Sequence, residues 1–200
     1  LLGDQRAAQF AAQLMILKQE MPKLADCTND SIMSSMMACV HVDVMPNTPQ
    51  QEAYIIPYGN KATFQMGYKG LKELAYRSGQ VQSLNGECVF KGDTFDVEFG
   101  SERKLTHKPD LTVDRSNPTP ENVTHVYITA VLANGEKPFF VMTTAEIEKI
   151  RQFAKTKNNG KDSPAWSQWW GQQALKTVLK RAAKMLPSSS KDNRFQVAVY

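Results

Sequence analysis

EAYIIPYGNKATFQMGYKGLKELAYRSG, residues 52–79, changes its hydrophobic period once, and that change decides the fold class. Glu52 to Pro57 and Lys61 to Met66 read as two short strands. Tyr58-Gly59-Asn60 between them has turn chemistry, so the pair reads as an antiparallel hairpin. Helical spacing then takes over at Leu71, Leu74 and Ala75, and Gly79 stands where a helix stop belongs. A hairpin feeding straight into a helix belongs to an α+β fold with an antiparallel sheet, not to the βαβ alternation of nucleotide-binding folds.

The flanks agree. Upstream, Phe10, Leu14, Leu17 and Met21 predict a helix over residues 4–20 that Pro22 ends. Thr28 or Asn29 caps a second helix that runs from about Asp30 through Ile32, Met36 and Val40. Downstream, Val81–Phe90, Thr94–Phe99, Val123–Leu132 and Phe139–Met142 read as strands, with Asn134-Gly135 a hairpin turn between the last two. Residues 109–120, polar and bounded by prolines, predict a long mobile loop. Thr143 and Glu146 form a capping box for a helix reaching about Ala154, and Lys155 to Ser163, with Asn158-Asn159-Gly160, reads as a loop. Pro164 opens a long last helix whose apolar stripe is Leu175, Val178, Leu179, Ala182, Met185 and Leu186, closed by Pro187.

The 200 residues carry a net charge of +4. Arg151 to Leu186 holds eight basic residues against the single acid Asp162, an excess of seven that leaves the rest of the chain at −3. A basic segment on a slightly acidic body suggests a local polyanion site, although a solvated helix face has the same composition. Lys176, Lys180 and Lys184 are four residues apart, so they line one edge of the last helix, with Arg181 beside them. Like charges at that spacing cost helix stability unless something neutralises them, and a phosphate backbone would. Of Trp166, Trp169 and Trp170, two are expected in the core, which leaves one ring for a base to stack on.

Gly67-Tyr68-Lys69-Gly70 lies between a strand and a helix, where backbone N–H groups can face a phosphate. Lys69, Lys72 and Arg77 follow on that helix, Tyr68 offers a ring, and Lys61 sits at the hairpin turn. A GxxG step also clamps nucleotides in KH domains, so a KH-like RNA-binding module built on Gly67–Gly70 is a second reading. His107-Lys108 could touch phosphate, or His107 could be structural. A metal-dependent nuclease is a third reading, with little to support it. Glu102-Arg103-Lys104 and Pro109-Asp110 come in the wrong order for a nuclease motif, and Asp93, Asp96 and Glu98 read as solvent-facing. No phosphate-binding GxxxxGK[ST] loop, HExxH metal motif or nucleophile elbow occurs. Cys27, Cys39 and Cys88 are odd in number and widely spaced, which suggests neither a disulfide framework nor a zinc site and favours a reducing cytoplasm. No apolar run approaches the roughly 18–20 residues of a membrane span. Leu1 in place of Met suggests a segment of a longer protein.

Taken in order, Tyr54-Ile55-Ile56-Pro57-Tyr58-Gly59, Gly67-Tyr68-Lys69-Gly70-Leu71, Tyr76-Arg77-Ser78-Gly79, His107-Lys108-Pro109, Ser163-Pro164-Ala165-Trp166, Lys176-Thr177-Val178 and Lys184-Met185-Leu186-Pro187 resemble the RecT family of phage single-strand annealing proteins. The resemblance spans nearly the whole chain; Pro164-Ala165-Trp166 has one residue more than the usual Pro-Trp. It implies ATP-independent binding of single-stranded DNA and annealing of complementary strands in homologous recombination. The residues themselves point to no catalytic group, no cofactor and no metal ligands, so no enzyme is expected. It implies a core distantly similar to Rad52 and to the lambda Red beta protein. It also implies a homo-oligomeric ring or helical filament and a phage 5′→3′ exonuclease as partner. Lys176 matches the family position implied to touch the DNA backbone, and Lys69 and Arg77 fall on family motifs. The expected organisation is a helical segment 1–45 as candidate subunit contact, an annealing core 46–187 and a tail 188–200.

Overall fold

The computed structural model describes residues 3–157, 160–187 and 194–199; the expected Asn158-Asn159 step and residues 188–193 of the expected tail lie outside them. The fold is α+β and its strands pair antiparallel, but in three separate sheets. Two compact units divide the chain: residues 1–80 with 187–200, and residues 81–186.

In the first unit, α1 (Asp4–Glu20) and α2 (Asn29–Val42) pack with the hairpin β1 (Ala53–Tyr58) and β2 (Lys61–Met66). Thr28 caps α2, its hydroxyl accepting from the Ser31 N–H. Phe10, Leu17, Leu24, Ile32, Met36 and Cys39 from the helical side meet Ile55 and Ala62 from the hairpin in one core. Polar groups fix how α2 lies on the hairpin. Ser35 Oγ donates to the Ala62 carbonyl at 3.1 Å, and the Ala62 N–H donates to Ser31 Oγ at 3.0 Å. The hairpin then enters α3 (Tyr68–Arg77) through Gly67.

Here the two glycines of the Gly67–Gly70 step have a purpose that the motif alone does not reveal. The Gly67 N–H donates to the Glu52 carbonyl at 2.7 Å. A Cβ on Gly67 would collide with the Gln51 carbonyl, and one on Gly70 with the Glu52 carbonyl. Backbone packs on backbone, and only glycine permits it.

The stretch expected as a tail contains a helix, α7 (Arg194–Val199), which packs on α2 and α3 and buries Phe195. Asp43, in the left-handed conformation at the end of α2, pairs with Arg6 of α1 at 2.8 Å and Arg194 of α7 at 3.8 Å.

In the second unit, β3 (Val81–Phe90), β6 (Val123–Leu132) and β7 (Phe139–Thr143) form a sheet in the order β3-β6-β7. The capping box opens α4 (Thr144–Lys157): the Thr143 N–H donates to Glu146 Oε2 at 2.9 Å and the Glu146 N–H to Thr143 Oγ1 at 3.2 Å. The expected long last helix is broken into α5 (Pro164–Gln168) and α6 (Trp170–Ala183), because Trp169 leaves helical geometry at φ −132°, ψ 47°. The buried side of α6 is Ala174, Val178, Leu179, Ala182 and Ala183. Leu175 is only half-buried, and Met185, expected in the stripe, is 70% exposed beyond the helix end.

A further hairpin, β4 (Thr94–Glu98) with β5 (Lys104–Lys108), stacks Phe95 on Tyr127 and His125 of β6. Asp93 is not solvent-facing as expected: its side chain is fully buried. It accepts from Arg115, from the backbone N–H groups of Phe90 and Asp110, and from His107 Nε2 at 2.9 Å. The residue 109–120 loop is thereby tied down, with Asp110 and Asp114 making local turns to Thr112 and Ser116. Burial alone would raise the Asp93 carboxyl, but these hydrogen bonds outweigh it and hold it well below the usual carboxylate range. All three cysteines are free and buried, and burial pushes the Cys39 and Cys88 thiols up to about 12.

Gly70→Ala is expected to destabilise the protein by about 1–3 kcal/mol through overpacking against the Glu52 backbone. Gly3→Ala, which meets nothing within 4 Å, should leave the denaturation midpoint in place. Asp93→Ala leaves Arg115 and His107 without their carboxylate and should cost about 3–5 kcal/mol in the same measurement.

Candidate nucleic-acid interface

The structure sorts the sequence candidates into two groups, one on each unit. In the second unit, α6 lies on the β3-β6-β7 sheet through its alanine-rich side, which puts Lys176 and Lys180 at the rim of the buried face, each half-buried. Lys184 follows one turn later as the exposed C-cap residue. Neither Lys176 nor Lys180 forms an ion pair with a described carboxylate. Burial, then the neighbouring Lys180 ammonium, pulls Lys176 down to about 8. Lys180 is lowered by burial and then by Lys184. The charges on Lys176 and Lys180 are thus disfavoured by burial and by the next lysine along the helix, a cost that a bound anion would offset.

The other cations of this segment are largely spent. Arg151 pairs with Asp162 at 2.7 Å and with Glu148 at 3.3 Å, and Lys155 reaches Asp162 at 2.9 Å. Arg181 is exposed and bridges to Glu146 at 3.0 Å. The Thr143 N–H, then Arg181, holds the Glu146 carboxyl below its ordinary range, although burial opposes this. The excess of seven read from the sequence therefore overstates the charge open to a ligand. Of the tryptophans, Trp170 is buried, with Nε1 donating to Glu148 Oε1 at 2.7 Å; Trp166 is half-buried; and Trp169, at the break between α5 and α6, is 59% exposed. Lys108 is exposed at the end of β5, but the His107 side chain is only 6% exposed. With Nε2 on Asp93 and Nδ1 on the Tyr127 hydroxyl at 3.1 Å, the His107 ring has no nitrogen left for phosphate.

In the first unit, Lys61 and Lys69 are exposed, and the Lys72 ammonium lies 5.8 Å from the centre of the Tyr68 ring. Arg77 is tied back, donating to Glu73 at 3.2 Å and to the Asp43 carbonyl at 3.2 Å. The sequence reading missed Arg115 as the partner of Asp93. It also missed the guanidinium of Arg103, which lies 4.7 Å from the Phe139 ring centre and 5.3 Å from that of Phe99. Among the described residues, no helix is long and apolar enough to cross a membrane.

The RecT family model matches residues 8–200. The chain belongs to the RecT family. It is 36% identical over 179 residues to "Protein RecT" of Escherichia coli (strain K12), covering 86% of this chain and 63% of that protein. It is 32% identical over 175 residues to "Uncharacterized protein YqaK" of Bacillus subtilis (strain 168), covering 88% of this chain and 57% of that one. The chain thus spans less than two thirds of the length of these relatives.

Lys176→Met should raise stability at neutral pH by on the order of 1 kcal/mol, because the native state carries that charge at a cost. The sign follows from proton binding. Folded Lys176 releases its proton near 8 and the unfolded lysine near 10.5, so between these values the unfolded chain holds more protons and wild-type stability rises with pH. Urea denaturation across that interval should show the rise in the wild type and its loss in the variant.

Proposed function

We propose that this chain binds single-stranded DNA and anneals complementary strands in recombination, without ATP and without catalytic chemistry. Membership of the RecT family supports this role, and one observation carries the physical case. Lys176 and Lys180 form a cationic row, with no described carboxylate paired to it, along the edge of a helix face that is locked into the core. Held so, the ammonium groups can grip phosphates without side-chain reorganisation. The grip carries no sequence information, so any strand can be loaded. Complementary bases then supply the driving force, about 1.4 kcal/mol per stacked step of duplex.

The finer reading includes a core of Rad52 type and assembly into a ring or helical filament. The α1 and α2 segment is the subunit contact, where Met15, Ile16, Met33 and Met37 leave apolar surface exposed. It also includes a phage 5′→3′ exonuclease as partner and a cytoplasmic setting. The KH-like alternative is disfavoured because the glycines of its motif are occupied by packing on Glu52.

Mixing complementary oligonucleotides with the protein in the absence of ATP should accelerate duplex formation; a rate equal to that of the protein-free strands refutes the proposal. Lys176→Ala should weaken single-strand binding and reduce the log–log salt slope by about one. Single-strand affinity should also fall as pH rises through about 8, where free Lys176 loses the charge that phosphate would stabilise. Lys176→Arg, charged throughout, should flatten that part of the pH profile.

A further inference from the structure

We propose that the outer face of the β1–β2 hairpin is a second DNA subsite, a floor on which unpaired bases stack; this rests on the single-strand reading above. In the antiparallel register, Tyr54 faces Gln65, Ile56 faces Thr63 and Tyr58 faces Lys61. These six residues share the face turned away from the core, since Ala53, Ile55, Ala62 and Met66, at the alternate positions, are buried. The six include two aromatic rings, one cation and no acid.

The rings are held in place. Gln65 Nε2 donates to the Tyr58 hydroxyl at 3.0 Å. Gln65 lies opposite Tyr54, four residues back along β1 from Tyr58. To meet it, the Tyr58 side chain must lie back along the hairpin over the Ile56–Thr63 pair. One side of the phenol ring then covers the hairpin while the residue stays 42% exposed. At the other end, Tyr54 Cε2 lies 3.2 Å from where a Gly67 Cβ would stand, so the face runs directly into the first turn of α3. That turn carries exposed Lys69, and Lys72 stands over the Tyr68 ring. This face of rings, amide and hydroxyl groups therefore has Lys61 at one end and Lys69 at the other.

This is the composition that binds single strands: rings for the base faces, cations for the phosphates, and amide or hydroxyl groups for the base edges. An acidic or apolar protein partner would match only part of it. A duplex hides its base faces in its own stack, so the floor favours a strand whose bases are open. It takes any sequence, because every base has a π-face.

The test uses the full chain, one single-stranded oligonucleotide and an abasic strand of the same length. Tyr58→Ala should weaken binding of the intact strand about five- to a hundredfold, leave the salt slope unchanged and barely alter binding of the abasic strand. Tyr58→Phe should bind close to wild type. Irradiating wild-type protein on a strand carrying 5-iodouracil should place the cross-link on residues 54–58, a readout that does not depend on any variant folding. Three results each overturn the proposal: Tyr58→Ala binding like wild type, equal losses on intact and abasic strands, or a change in self-association of Tyr58→Ala without DNA, which makes the face a contact between copies. If wild-type protein binds no single strand, the annealing reading fails and takes this one with it. If it binds and only Tyr58 proves silent, the annealing reading stands alone.

Discussion

Ala174, Ala182 and Ala183 are fully buried where α6 meets the β3-β6-β7 sheet. Small side chains let the helix backbone lie close to the strands, and the candidate nucleic-acid interface follows from that approach. A closely seated helix cannot roll, so residues at the edge of its buried face are held at the edge of the core. Lys176 and Lys180 occupy that edge. They lose part of their hydration to the protein and gain no described carboxylate in exchange, which is why burial, and then the next lysine along the helix, depresses each. The destabilising row is therefore a consequence of the packing, and a polyanion is the natural partner that would relieve it.

Much of the architecture was legible because its signals are local. The β1–β2 hairpin and α3 follow from a change of period within 28 residues, the α4 cap from a four-residue signature, the α2 cap, narrowed to Thr28 or Asn29, from residue type, and the lysine row from simple four-residue spacing. What escaped depended on partners distant in sequence. Strand β5, Lys-Leu-Thr-His-Lys, is mostly polar and becomes a strand only by pairing with β4. The break at Trp169 follows no proline or glycine at that position. The burial of Asp93 depends on Arg115, 22 residues away, and the loop expected to be mobile is held by the same pair. The spent state of Arg151, Lys155 and Arg181 was equally hidden, because a count of charges says nothing about which carboxylates lie beside them.

The Gly67–Gly70 step shows how one motif can carry two explanations. Two glycines flanking two residues before a helix look like a phosphate cradle. In the fold they are spacers that let α3 start against the Gln51–Glu52 backbone. That close start is also what brings the ring of Tyr54 to the head of α3, so the packing role of the glycines sets up the aromatic surface beside them.

The Asp43 clasp, which takes Arg6 from the first helix and Arg194 from the last, has a consequence for the order of assembly. The unit it closes is discontinuous, with residues 81–186 inserted between its two parts. During synthesis the inserted unit has its whole sequence available before Arg194 has left the ribosome, while the unit that began first must wait for its closing helix. The expected sequence is inside out: the insert becomes able to complete its core before α7 is available to the surrounding unit.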